Sequence, residues 1–194
     1  MYRPLGIEEH TLWLYDQSRP IQFTVTGKVV GELQVGSLQQ ALTEVQQRHP
    51  SLRVRIAPDT TGRPWLIEDS NHIPLRVVER DSDQRWQQGV EQELSQPFNW
   101  NHTPLVRVVL VHGINRSELI VTCHHAIADG MSAVYLLRDI LQAVGLPGSQ
   151  QQILPERPAY DYLTPIADEL QPAAEKPLTE LAKPIHTTPT LSEK

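Results

Sequence analysis

A single cysteine, Cys123, in 194 residues rules out an internal disulfide framework. Runs of Lys and Arg are absent as well. Seventeen basic residues face twenty-three acidic ones for a formal net charge of −6, so no basic patch of the kind that binds a nucleic-acid backbone is expected. Apolar stretches are short, none near the roughly 20 residues that span a bilayer. The opening MYRPLGIEEH lacks the basic-then-apolar layout of a signal peptide, and a reducing, cytoplasmic setting is the expectation. No solenoid-type repeat occurs. What is present is ordinary globular composition, 39% hydrophobic and 21% charged, which suits one domain plus a tail.

The periodicities describe a mixed chain. Ile7, Leu12, Trp13 and Leu14 predict a short helix from Ile7 to Tyr15, and the β-branched run from Ile21 to Val30 predicts a strand closed by Gly31. Ser37 with Gln40 has the spacing of a capping box, and Leu38, Ala41, Leu42 and Val45 then share one helical face up to His49-Pro50. Leu52 to Ile56 and Pro64 to Glu68 flank a Pro58-to-Gly62 turn and predict a hairpin, with a further strand from Leu75 to Glu79. A second long helix is expected from Asp83, with Trp86, Val90 and Leu94 inward and Pro97 as its stop. Leu105 to His112 and Glu118 to His125 are dense enough in Val, Ile and Leu for two-sided burial, and they flank the loop Gly113 to Ser117. A last helix from Met131 to Val144 places Val134, Leu137, Leu141 and Val144 on one stripe and ends at Gly145. The class is α+β, helices over a largely antiparallel sheet. Trp13, Trp65, Trp86 and Trp100 read as core or interface aromatics. Of the last 44 residues seven are Pro and the apolar residues lose their period, so residues 1–148 are expected to form the folded lobe and 149–194 a linker or disordered tail.

Chemistry concentrates in His124-His125-Ala126-Ile127-Ala128-Asp129-Gly130, where a buried strand gives way to a helix. Successive strand side chains point to opposite faces, so His124 and His125 diverge, one into packing and one into a cleft. That makes them poor co-ligands, and no metal is expected. Asp129 sits where a carboxylate caps a helix or holds a cation, and Gly130 permits a tight turn or close ligand approach. Cys123, two positions before His125, offers a competing Cys–His hydrolase arrangement. Against it, the i,i+2 spacing holds the two Cα atoms about 6.5–7 Å apart with parallel side chains, and buried cysteines behave mostly as small hydrophobes.

The HHxxxDG pattern resembles the active-site motif of the chloramphenicol-acetyltransferase-like superfamily, which includes condensation domains of nonribosomal peptide synthetases, plant BAHD acyltransferases and polyketide-associated acyltransferases. Arg48-His49-Pro50-Ser51-Leu52-Arg53 resembles the family stretch that ends its first long helix, and Pro104-Leu105-Val106-Arg107 the one that enters the strand before the motif. The likeness spans about Leu5 to Val144. It implies that His125 is a general base, taking a proton from an acceptor hydroxyl or amine that attacks a thioester carried by CoA or a phosphopantetheinyl carrier protein. It further implies a structural His124, an Asp129 that ion-pairs to hold its loop, a Gly130 that leaves room for the pantetheine arm, an Arg53 in the scaffold, and no bound cofactor.

The family's members are roughly twice as long and have two similar lobes with the active-site tunnel between them. This chain matches the N-terminal lobe only, and 64 residues follow Gly130, unlike single-lobe trimeric relatives that carry the motif near the C-terminus. Three readings follow: an acyltransferase half completed by a separately encoded C-terminal lobe, a homo-oligomer that rebuilds the tunnel, or a non-catalytic remnant or binding module.

Overall fold

The computed structural model describes residues 3–68, 71–101, 104–150 and 152–155. They lie in the unit Met1–Tyr160, while the second unit, Asp161–Lys194, falls outside them together with most of the expected tail.

The densest apolar segments form the centre. β6 (Val106–His112) and β7 (Arg116–His124) pair antiparallel, β2 (Gln22–Val30) flanks β7 antiparallel, and β5 (Leu75–Glu79) flanks β6 in parallel, giving the order β2-β7-β6-β5. Both middle strands bury both faces, as their composition predicts. Val106, Val108, Leu110, Leu119, Val121 and Cys123 join one core with α2 (Val35–Arg48) and α4 (Gly130–Gly145). The alternate residues Val109, Val111 and Ile120 meet Val78 together with Trp86 and Val90 of α3 (Arg85–Ser95) on the other side. A second sheet, β1-β4-β3, joins Arg3–Pro4 to the hairpin Val54–Pro58 and Pro64–Glu68. In its turn the Asp59 carboxylate accepts from Thr61 N, Arg63 N and Trp65 Nε1, and Gly62 takes the left-handed φ of +85°.

Several local expectations shift. α2 starts at Val35 behind Gln34, with no side-chain cap, so the Ser37/Gln40 capping box does not form. Leu52 lies in a 3₁₀ turn, Pro50–Arg53, rather than in β3, because Pro50 biases His49 to extended backbone (φ −105°, ψ 102°) and the chain must turn before pairing. α3 begins at Arg85, and its Leu94 is 43% exposed while Gly89 and Glu93 face inward. On α4 the buried stripe is Ala133, Leu136, Ile140 and Ala143, one residue round from the large apolar residues. Leu137, Leu141 and Val144 flank it, and Val134 is exposed. The alanines let α4 approach its neighbours closely, which volume-weighted periodicity does not anticipate.

The β6–β7 hairpin carries one tight glycine. A Cβ on Gly113 would stand 2.5 Å from the Arg116 carbonyl oxygen, a backbone atom with little freedom to move. Gly113→Ala is expected to cost about 1–3 kcal/mol, read as a lower urea midpoint. An unchanged midpoint would show that the loop yields without cost.

Candidate active site

The motif sits at the C-terminal end of β7. His124 is its last residue, opposite Gln22 in the β2 register, and its amide donates to Leu105 O at 3.0 Å. The chain then leaves the sheet through a turn closed by Ile127 N to His124 O at 3.1 Å, buries Ala126, Ile127 and Ala128, and enters α4 at Asp129, whose carboxylate accepts from Ser132 N at 2.7 Å. His125 lies on this short link, held at one end by a core strand and at the other by a capped helix.

The paired histidines diverge. His124 is fully buried. Its Nδ1 accepts from Ala126 N at 3.0 Å, and its Nε2 lies 3.4 Å from Asp16 Oδ2, within ion-pair reach but without good hydrogen-bond geometry. Because the Ala126 N–H points at Nδ1, the proton of the neutral ring sits on Nε2. Burial pushes the ring below its ordinary 6.5 and outweighs the opposing charge of Asp16, so the neutral form is the native one. His125 is half-buried, its ring 4.4 Å from that of Phe23 and tilted by 36°. It makes no hydrogen bond among the described residues, so its ring nitrogens are available to a substrate.

Cys123 does not compete. Burial pushes its thiol up to about 12, and it forms part of the core. A thiol of that kind supplies no nucleophile near neutral pH. No cluster of three metal-type side chains occurs among the described residues.

Gly130 has no left-handed φ, and a Cβ there would meet nothing within 4 Å. Neither the local backbone nor the packing demands glycine, so the open space beside it is its distinguishing feature. Met131 (59% exposed), Val134 (46%) and Tyr135 (49%) follow on the first turns of α4.

The other motif residues are scaffold. Arg53 Nη1 donates to the carbonyls of Gln46 and Gln47 at the end of α2, and its Nε reaches Glu68 at 3.4 Å. Arg48 and His49 converge on the buried Asp139 of α4, at 3.4 and 2.9 Å, tying the two helices together. Arg107 pairs with Glu93 and lies 4.3 Å over the Phe98 ring, which meets His124 edge-on at 6.1 Å. Of the buried acids that the sequence reading missed, Asp16, Glu93 and Asp139 are the ones that meet the motif residues. For two of them a signal exists: Glu93 falls at inward spacing after Gly89 and Val90, and Asp139 between Leu136 and Ile140, where a polar residue needs a buried partner.

These groups fix a pH dependence. Burial pushes His49 below its ordinary 6.5 against the pull of Asp139, as it does His124. Burial raises Glu93 and Asp139, but hydrogen bonds and charge from Arg76 and Arg107 on Glu93, and hydrogen bonds from Arg138 and His49 together with the Arg138 charge on Asp139, outweigh it and hold both below their ordinary 4.5 and 3.8. For the histidines the unfolded chain binds more protons than the folded one just below 6.5, so their contribution is complete above that pH and lost as pH falls through it. The carboxylate contribution is complete above 4.5 and lost as pH falls through the lower folded-state values. The urea midpoint is expected to be level between about pH 7 and 8, to fall from about 6.5 and to fall again below about 4.5, while above about pH 9 the buried Cys123 thiol adds a loss on the alkaline side. A midpoint that rises between pH 7 and 5 would contradict this assignment.

A groove of about 810 Å³ opens at the far end of the sheet, lined by Val30, Val77, Arg80, Ile114 and Arg116 among others. β7 runs nine residues from Arg116 to His124, about 27 Å, so this groove is remote from His125. The motif geometry, rather than the groove, locates the candidate site.

Comparison with known proteins gives a consistent result. A family model described as condensation domain matches residues 12–178. Two linear gramicidin synthase chains of Brevibacillus parabrevis are similar to this one, at 30% identity over 154 residues and 32% identity over 153 residues. Each alignment takes in 71% of this chain and 3% of the relative, so the chain spans a small part of those proteins. Among solved structures, the first condensation domain of the calcium-dependent antibiotic synthetase, in complex with a substrate analogue, superposes with a TM-score of 0.66 at 19% identity. The match covers 90% of this chain and 44% of that one, a likeness of fold that corresponds to one lobe.

Proposed function

Since the chain belongs to the condensation-domain family, we propose that it supplies the base-bearing N-terminal half of an acyltransferase, moving an acyl or peptidyl group from a phosphopantetheinyl carrier or CoA thioester to an amine or hydroxyl acceptor. His125 takes the proton from the acceptor as its nitrogen or oxygen attacks the thioester carbonyl. The new C–N or C–O bond forms, the C–S bond breaks, and the proton passes to the departing thiolate. No acyl-enzyme is needed, and the proton transfer is worth about 10²–10⁴-fold in rate.

One observation carries this reading: of the two adjacent histidines, only His125 combines solvent access with a fixed backbone. His124 serves the turn and Asp129 the helix start. Gly130 leaves space for the pantetheine arm, which enters as part of the substrate. The exposed Met131, Val134 and Tyr135 adjoin the region where a second lobe or a second copy would close the site. The lobe is residues 1–148, and 149–194 is a tether whose first residues lie along the end of α2, where Leu154 N donates to Arg48 O.

The test is acyl transfer by the purified chain, from a panel of CoA and phosphopantetheine thioesters to mixed amines and alcohols, with its mass measured in the same buffer. Turnover supports the reading, and a multimeric mass would assign closure of the site to a second copy. A folded chain that stays inactive even with a C-terminal lobe supplied would overturn it in favour of a non-catalytic module.

A further inference from the structure

The turn that carries His125 depends on a residue from the other end of the chain. Asp16, the last residue of the helix Ile7–Asp16 and 7% exposed, lies 108 positions before His124 in sequence, yet its carboxylate faces three N–H groups. Oδ1 accepts from Ile21 N at 2.8 Å. Oδ2 accepts from Trp100 Nε1 and lies 3.4 Å from His124 Nε2. Building on the reading of His125 as the base, we propose that Asp16 is a positioning residue for catalysis: it fixes the Nε2–H tautomer of His124, which leaves Nδ1 free to hold the Ala126 amide and thereby the turn that presents His125.

The argument rests on which groups can exchange donor for acceptor. An ionised carboxylate only accepts, which suits three converging donors. The Ile21 amide and the Trp100 indole only donate. His124 alone can change role, by moving its proton from Nε2 to Nδ1. Asparagine at position 16 has nearly the same shape but one accepting oxygen, so its NH₂ group confronts a donor whichever way it lies. Turned toward Ile21, that NH₂ faces a backbone donor held in place; turned toward Oδ2's partners, it faces the Trp100 indole, a side chain that can shift, and His124, which accommodates it only in the Nδ1–H form. Two donors, Nδ1–H and Ala126 N–H, would then face each other across the present 3.0 Å contact, and the residue after His125 would lose its anchor. Gln22 stands opposite His124 in the ladder, and its Nε2 donates to the carbonyls of Glu93, Leu94 and Gln96.

Ring-nitrogen NMR of the full chain labelled in its histidines, above pH 7, reads the tautomer without any need for turnover. The parent is expected to show His124 as Nε2–H, with the His125 ring protons shifted by the Phe23 ring. Asp16→Asn is expected to move His124 toward Nδ1–H, to change the His125 shifts, and to lower kcat by up to about 10²-fold with little change in KM in the assembly that turns over. Trp100→Phe removes one donor and keeps the charge, so it should retain the parent tautomer. An Nδ1–H reading in the parent, a tautomer change in Trp100→Phe, or an unaltered His124 and His125 in a folded Asp16→Asn would each overturn the proposal. The parent and Trp100→Phe readings stand even if Asp16→Asn fails to fold. Expected tautomers in a chain that never turns over would leave the linkage intact and count against the function alone.

Discussion

Replacing His125 with alanine lowers acyl transfer about 10²–10⁴-fold and leaves the lobe folded. The first half of this expectation follows from the proposed proton transfer, for which the described residues offer no substitute base on the turn: His124 is buried in the opposite packing, its Nδ1 held by Ala126 N and its Nε2 facing Asp16, and Asp129 caps α4. The second half follows from what the side chain touches. His125 stands beyond the last strand residue and donates to nothing among the described residues, so its loss removes the Phe23 contact, worth about 0.5–1.5 kcal/mol. A large kinetic effect beside a small shift in the urea midpoint distinguishes a base from a structural histidine. Equal losses in both would assign His125 to the scaffold.

The largest stability effect is expected at Glu93. Its side chain is 3% exposed and receives Arg107 and Arg76, with Thr122 Oγ1 at 3.3 Å. Arg107, 16% exposed, also donates to the Glu93 and Gln96 carbonyls, closing the end of α3 over the sheet. Glu93→Ala strands this guanidinium in a poorly hydrated site, at a cost of about 3 kcal/mol, the lower end for breaking a buried pair because Arg76 is 36% exposed and can turn to water. Urea unfolding of Glu93→Ala, Arg107→Ala and the double variant measures it. The double variant should be less destabilised than the sum of the singles. Additive losses would mean that the pair does not couple.

Much of this architecture can be read along the chain. The strands at 22–30, 75–79, 106–112 and 116–124 lie within a residue or two of where composition puts them, because Val, Ile and Leu at that density have few alternatives to a buried sheet. Helix ends and helix faces are less legible. Gln34 rather than Ser37 precedes α2 because tertiary packing of Leu38, Ala41, Leu42 and Val45 sets where the helix starts, and the inward face of α4 follows its alanines. The parallel pairing of β5 with β6 and the pairing of β1 with β4 depend on contacts between segments far apart in sequence, which period cannot reveal. The candidate site divides in the same way. HHAIADG marks the strand-to-helix junction and the divergence of its histidines, both local consequences of backbone geometry. Asp16, which faces His124, and Trp100, which donates to Asp16, come from other elements and carry no local pattern.

The most direct measurement is single-turnover acyl transfer by the parent, by His125→Ala, and by His125→Ala with free imidazole added, all in the assembly found to turn over. The account predicts a fast parent, a variant slowed about 10²–10⁴-fold, and partial recovery as imidazole takes the vacated place beside Phe23. A folded His125→Ala variant that transfers as fast as its parent would contradict the assignment of His125 as the base.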